Sequence, residues 1–315
     1  MLTWPSDADA ICDAITAARS DVTFVLKTKN EAERLERWIL HHLPIAGPDG
    51  LVVFDNASTD PAVGEVLARY GDRVQFHGWD LPHDAIHDAT RQRPLYSALR
   101  ASCRHYALLD TDERAFWSDG TRLIGGREFG ERLADDDERL VHPGLWLENR
   151  PGSIDIYFVE DRRLARCLGW GKPLLGRGVD VGGFVNHNWQ FVRDNPGHEL
   201  RSGFVVCHDR FDDAARRLRS NIDKCLAYGF AASAEEIDRI VAAGRFDGLN
   251  PAFQNYLREI VRCRTETWTP ATDPRADQAA VRDGGVLQFG SPEAESCFRE
   301  YAGARLISES EIREL

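Results

Sequence analysis

Four short apolar runs, at residues 22–26, 51–54, 74–77 and 106–109, are separated by segments whose apolar residues recur at helical spacing. This alternation constrains the fold more than any other feature of the chain. Strands joined through helices pair in parallel and need helices over both faces of the sheet. A helix over 6–19, capped by Ser6 or Asp7, precedes the first run. After it Lys27-Thr28-Lys29-Asn30-Glu31 breaks the pattern, then Leu35, Trp38, Ile39 and Leu43 mark a helix that Pro44 and Gly47-Pro48 stop. The second run ends in Asp55-Asn56-Ala57-Ser58-Thr59-Asp60-Pro61, with Asp60 placed to cap the next helix and Pro61 at its first position. A helix over 88–104, disturbed at its start by Pro94, leads to the fourth run. The expected class is α/β, a mostly parallel, Rossmann-like sheet flanked by helices. Ligands of such sheets bind beyond the carboxyl ends of the strands, where the polar clusters at 27–31, 55–60 and 110–113 all fall.

The last of these is the most telling. Ala107-Leu108-Leu109 reads as a core strand and runs straight into Asp110, Thr111, Asp112 and Glu113. Carboxylates gathered at the end of a buried strand are costly to desolvate without a partner. A hard divalent cation suits them, because Mg²⁺ and Mn²⁺ prefer oxygen ligands and often share them with substrate phosphates. Asp-x-Asp triplets also occur on solvated turns; the apolar strand before this one separates it from them.

The chain has 315 residues, at or above the size where one core divides. Its net charge of −12 disfavours broad binding to nucleic acid, which needs a basic surface, but leaves room for a local basic pocket. The seven cysteines are scattered without a C-x-x-C pair, as expected of reduced thiols in a cytoplasmic protein. The first residues lack a basic segment followed by an apolar one, the mark of a secretory signal. No apolar run reaches the roughly 18 residues that span a bilayer. Beyond residue 200 a strand at 204–207 ends in His208-Asp209, and helices are expected over 212–228, 233–243 and 251–264, with a turn-rich stretch at 270–277 and short helices from 292.

Lys-Thr-Lys-Asn-Glu-Ala at 27–32, Trp38 with His41-His42, Phe-Asp-Asn-Ala-Ser-Thr-Asp at 54–60 and Leu-Leu-Asp-Thr-Asp-Glu at 108–113 together resemble the family-2-like glycosyltransferases, most closely the bacterial branch related to family 92. The resemblance covers residues 22–115 well and continues more loosely through Gly171-Lys172-Pro173, His187 and Val206-Cys207-His208. It implies a GT-A fold, with a nucleotide-sugar-binding and catalytic domain over 1–210 and a mainly helical extension over 211–315. It also implies a nucleotide-sugar donor, UDP-linked in the first instance, a glycan or lipid-linked acceptor, and Mn²⁺ or Mg²⁺. Peripheral membrane contact at the cytoplasmic face fits a lipid-linked acceptor.

Roles follow from that resemblance. Lys27 or Thr28 lines the base pocket, with Asn30 and Glu31 beside it. Asp55 accepts hydrogen bonds from base or ribose, with Asn56 next to it, although Asp55 also suits an ordinary Asx turn. Arg91 and Gln92 precede the Asp-x-Asp strand by one helix, where an arginine fork suits a diphosphate; Lys172 also meets phosphate. Asp110 and Thr111 face the nucleotide, Asp110 and Asp112 hold the metal, and His187, ahead of His208, adds the late histidine ligand. Inversion needs a carboxylate base: Glu148 first, with Asp180 and Asp155 as rivals. Glu113 supports the metal ligands.

Three other functions compete. A sugar nucleotidyltransferase needs a glycine-rich loop after the first strand to hold a triphosphate, and residues 27–34 contain no glycine. A two-metal phosphohydrolase needs a second His/Asp cluster. A non-catalytic sugar-nucleotide-binding protein would bind donor without transfer.

Overall fold

Alternate residues of the apolar runs feed two separate cores, one on each face of a large sheet. The computed structural model describes residues 1–315 except Asp135, Glu160, Ala304, Glu314 and Leu315, and for residues 83, 161–163, 165 and 313 it describes the backbone alone. Val25, Val52, Phe54, Tyr106 and Leu108 face one core, and Phe24, Leu26, Leu51, Val53, Ala107 and Leu109 face the other. This period of two is what a strand buried on both faces requires. Helices α1 (Ala8–Ala17) and α4 (Arg93–Ser102) cover the first face; α2 (Ala32–Ala46), α3 (Pro61–Tyr70) and α5 (Gly126–Ala134) cover the second.

The sheet has nine strands in the order β1 (Thr3–Trp4), β4 (Gln75–Trp79), β3 (Leu51–Asp55), β2 (Ser20–Thr28), β5 (Cys103–Leu109), β11 (Pro173–Gly176), β8 (Val141–Pro143), β12 (Leu200–Arg201) and β16 (Leu306–Ile307). From β1 to β5 every pairing is parallel. β11 then runs antiparallel to both β5 and β8. In register, Thr28 lies opposite Asp55, Asp55 opposite Gly78, and Leu26 opposite Leu109, so the carboxyl ends of the parallel strands are level.

A second sheet, β7 (Leu123–Ile124), β6 (Glu113–Ser118), β13 (Phe204–His208) and β9 (Leu145–Glu148), starts where the first stops. Its register sets Glu113 opposite His208 and His208 opposite Glu148. Helices α6 (Asp161–Trp170) and α7 (Asn188–Asp194) follow β10 (Ile156–Phe158) and β11 in the chain.

Expected elements return with small shifts. Pro44 sits inside α2, which runs on to Ala46 and stops at Gly47 with a φ of 72°. Near the carboxyl end of a helix, proline removes only one late backbone bond, so the helix survives it. The expected 88–104 helix starts later, as α4 at Arg93, with Pro94 in its first turn, and a 3₁₀ turn at His83–His87 lies ahead of it. Within 211–315, α8 (Ala214–Ala227), α9 (Ala234–Ala243) and α10 (Pro251–Thr265) pack around a small core of Cys225, Ile237, Phe253, Leu257 and Ile260. The rest of that stretch is not only helical. β14 (Gln278–Val281) and β15 (Leu287–Phe289) form a small sheet with β10, and β16 joins the large one, beside helices α11 (Pro292–Ala302) and α12 (Glu309–Arg313). Among the described residues the seven cysteines form no disulfide. No helix among the described residues is long and apolar enough to cross a membrane.

Candidate functional site

The first sheet hands over to the second through Asp110, Thr111 and Asp112, a turn held by its own neighbours. The Glu113 carboxylate accepts the Asp110 N–H at 2.7 Å, and the Asp112 carbonyl accepts the Asp209 N–H at 2.7 Å. The Thr111 hydroxyl donates to Glu31 at 2.6 Å, which ties the turn to the start of α2. Each carboxylate of the turn meets a counter-charge. Lys172, fully buried, places Nζ 3.0 Å from Asp110 Oδ2, 2.6 Å from Asn186 Oδ1 and 3.8 Å from Glu113. Burial by itself would raise the Asp110 carboxyl, but Lys172 and His87 hold it far below the usual range. Glu113, wholly enclosed, is pushed up by burial against the pull of Lys172.

Asp112 stands between two other groups. His208 Nε2 lies 3.4 Å from Asp112 Oδ1, and Arg34 Nη1 lies 3.4 Å from Oδ2. Burial opposes the ionised Asp112, yet His208 and Arg34 keep it well below the usual carboxylate range. The His208 ring stacks on Trp146, centroids 4.1 Å apart. Burial lowers the His208 pKa in spite of Asp112, which favours the neutral imidazole that a metal requires.

The other expected residues divide into those that meet this turn and those that do not. Lys27 lines a small cavity with Val25, Ile86, His87, Leu108 and Asp110, and burial lowers its pKa to about 8. Thr28 Oγ1, next in the chain, is buried without a hydrogen-bond partner among the described residues. Glu31 joins the group through Thr111 and Arg34. Glu148 sits in register with His208 and pairs with Arg210 Nη1 at 3.0 Å.

Asp55, Asn56 and Asn30 are occupied in shaping the loops after β2 and β3. Asp55 accepts the Ser58 N–H at 3.2 Å and its hydroxyl at 2.5 Å, which closes the loop after β3. Asn56 donates to the Trp79 carbonyl at 2.8 Å, and Asn30, at a φ of 55°, accepts the N–H groups of Thr59 and Asp60 at 2.7 and 3.0 Å. Arg91 is 80% exposed and pairs with Asp88 at 3.2 Å, while buried Gln92 accepts the Trp4 indole N–H at 2.9 Å. Gln92 therefore ties down the N-terminal segment.

Asp180 is 90% exposed and pairs with Arg100 in the last turn of α4, toward the start of β5 and away from the Asp110 end. Asp155, 57% exposed, lies 3.5 Å from Arg114. The His187 Nδ1 meets the Trp170 carbonyl at 2.7 Å ahead of α7, and burial with the field of Lys172 lowers its pKa to about 3. The histidine the structure sets beside Asp112 is His208.

Sequence reasoning named Lys27 and Lys172 but passed over the arginines around the turn. Arg34 is buried and reaches Asp112, Glu31 and Asp212. Arg210 joins Glu148 to Glu259, which also accepts from Arg217 at 2.7 Å and Asn221 at 3.0 Å. The signal was present: Arg34 stands on the same helical stripe as Leu35 and Trp38, and Arg217, Asn221 and Lys224 repeat along one side of α8. Among the described residues no three His, Cys, Asp or Glu side chains converge as a ready metal cluster.

No protein-family model matches the chain. No curated protein matches it either. Among solved structures it is similar to the mannosyltransferase PcManGT from Pyrobaculum calidifontis, in complex with GDP-Man and Mn²⁺, at 17% identity over 82% of each chain and a TM-score of 0.35. It is similar also to TarS from S. aureus, at 14% identity over 78% of this chain and 71% of that one, with a TM-score of 0.35. Likeness this loose does not identify an activity.

Proposed function

We propose that the chain is a metal-dependent glycosyltransferase of the GT-A type, related to the family-92 branch, that moves a sugar from a nucleotide-sugar donor to a glycan or lipid-linked acceptor with inversion. Its setting would be cell-surface polysaccharide or glycolipid assembly at the cytoplasmic face of the membrane. The observation that carries the reading is the Asp110–Asp112 turn, level with the carboxyl ends of β2 and β3 and ringed by Lys172, Arg34 and His208.

Transfer requires that base and ribose be gripped, that the leaving diphosphate be neutralised, and that the acceptor hydroxyl lose its proton. Lys27 and Asp110, neighbours at the strand ends, would meet the base and ribose there. Asp112 and neutral His208 are the donors that would hold Mn²⁺ or Mg²⁺, and an oxygen beside an imidazole is a fitting pair. Two protein donors would leave room in the shell for phosphate oxygens and water. The cation, when bound, supplies charge neutralisation for the departing diphosphate. Lys172 keeps Asp110 ionised and fixed.

In the reaction the acceptor oxygen bonds to the anomeric carbon, the bond from that carbon to the phosphate oxygen breaks, and the diphosphate leaves. Glu148 receives the acceptor proton. Its place in register with His208 favours it over Asp180, which pairs with Arg100, and over Asp155, beside Arg114.

A thermal-shift screen against UDP-, GDP-, CMP- and dTDP-sugars with and without Mn²⁺ tests the reading. Preferential binding to the folded state raises the melting temperature. One nucleotide series should stabilise the protein, and more so with metal. Stabilisation by none of them would overturn the proposal.

A further inference from the structure

α8 lies against the Asp112 side of the turn. Asp212, just ahead of it, takes Arg34 and Arg37 from α2 at 2.8 Å each and Arg216 from α8 at 2.7 Å, and Arg34 reaches Asp112. One face of α8 is polar and turned inward. Arg217 and Asn221 on it are buried and spent on Glu259 of α10. Lys224 follows one turn later on the same face.

Lys224 is half-buried, and its ammonium makes no hydrogen bond or ion pair among the described residues. Its electrostatic neighbours are the cations Arg217 and Arg210 and the carboxylates Asp112 and Asp110, and its field reaches Lys27 and Glu31. These groups come from β2, the start of α2 and the β5–β6 turn, so the ammonium faces the space bounded by the strand ends. Burial lowers its pKa, with Arg217 adding to the effect. The two aspartates do not relieve it at contact range, because Asp110 is engaged by Lys172 and Asp112 by Arg34 and His208. An ammonium drawn out of water with no counter-charge in contact is destabilising. A negative group entering the same space would remove that cost. A lysine, as a point charge with three rotatable donors, suits a phosphate that presents oxygens from several directions.

We propose that Lys224 is a phosphate-binding residue supplied by the C-terminal helical unit, which pairs with the diphosphate of a nucleoside diphosphate held at the Asp110–Asp112 turn. The inference rests on the proposed nucleotide site and adds an α8 contribution to it.

Calorimetric titration with UDP, GDP and dTDP in Mn²⁺, repeated with the matching nucleosides and with inorganic phosphate, tests it in the wild type, Lys224→Met and Lys224→Arg. Lys224→Met should weaken the diphosphate that binds by about 10- to 100-fold, the range for a lost charge-assisted hydrogen bond. Affinity for the nucleoside should not change, and Lys224→Arg should recover most of the loss. Without ligand the Met variant should melt at or above the wild-type temperature, because an unpaired charge has gone.

Equal diphosphate affinity in wild type and Lys224→Met would overturn the assignment while leaving the nucleotide site standing. A parallel loss of nucleoside affinity, or a lower melting temperature without ligand, would make Lys224 structural and also overturn it. Inorganic phosphate binding more tightly than any diphosphate would remove the nucleotide from the proposal. If the wild type binds no nucleoside diphosphate, the proposed function falls, and this inference with it.

Discussion

Around β2, β3 and β5 the inward side chains are apolar and alternate between two cores; along α8 they include Arg217, Asn221 and Lys224, and the helix meets the body through ion pairs. The parallel strands bury Phe24, Leu26, Leu51, Val53 and Phe54 to 0% exposure. Removing any one of them opens a cavity, at a cost of about 2–5 kcal/mol. The α8–α10 unit has a core of its own, but Asp212, Arg210 and Glu259 tie it to the rest. Salt does not weaken non-polar burial, whereas it screens half-buried ion pairs such as Glu148–Arg210 in part and buried ones such as Arg34–Asp212 only a little. The body is therefore a fixed frame for the turn, and the helical unit is the part that can open at low cost.

Glu148 stands at the seam, in register with His208 on one side and paired with Arg210 on the other, so its loss gives the largest expected effect. Glu148→Gln should lower kcat by about 10²–10⁴-fold, the range for a general base, with donor affinity unchanged. Asp180→Asn and Asp155→Asn should remain near the wild-type rate. A dead Asp180 variant beside an active Glu148 variant would move the base to the other end of β5 and break the comparison.

Acid and salt should separate the two regions. His41, His77 and His105 belong to the body, and burial lowers each to about 4. No histidine lies within α8, α9 or α10. The folded pKa values fall below the unfolded 6.5, so these groups stabilise the fold fully above pH 6.5. That contribution is lost as pH falls toward 4, because the unfolded chain then binds more protons. The slope is on the order of 1.4 kcal/mol per pH unit for each histidine. Denaturant titrations between pH 7 and 4 check this; flat stability would contradict it. The smaller effect is salt. At pH 7, raising NaCl from about 0.1 to 1 M should speed amide exchange in α8–α10 and leave β2–β5 protected.

The same contrast explains what could be read in advance. Period-two apolar runs announced β2 to β5 because burial on both faces leaves that pattern in the chain. β1 and β12, two residues each, carry too little pattern to show. The Asp110–Asp112 turn was visible because its carboxylates interrupt such a run. Asp55, Asn56 and Asn30 fit both readings in the sequence because turn chemistry and ligand chemistry use the same side chains, and the structure shows the loop hydrogen bonds they make. What places His208 beside Asp112 is the pairing of β13 with β6, a contact between distant parts of the chain. Arg34 and Lys224 read locally as helix-surface charges; only the tertiary fold turns them toward the turn.

Metal binding at Asp112 is tested most directly by one titration. Nucleoside diphosphate binding is measured with and without Mn²⁺ in the wild type and in Asp112→Ala, alongside the thermal unfolding of both. The prediction is that Mn²⁺ tightens binding to the wild type about tenfold or more, on the scale of a charged contact, and that Asp112→Ala folds but loses this enhancement. A folded Asp112→Ala that keeps the full Mn²⁺ enhancement, or a wild type indifferent to Mn²⁺, would contradict the account.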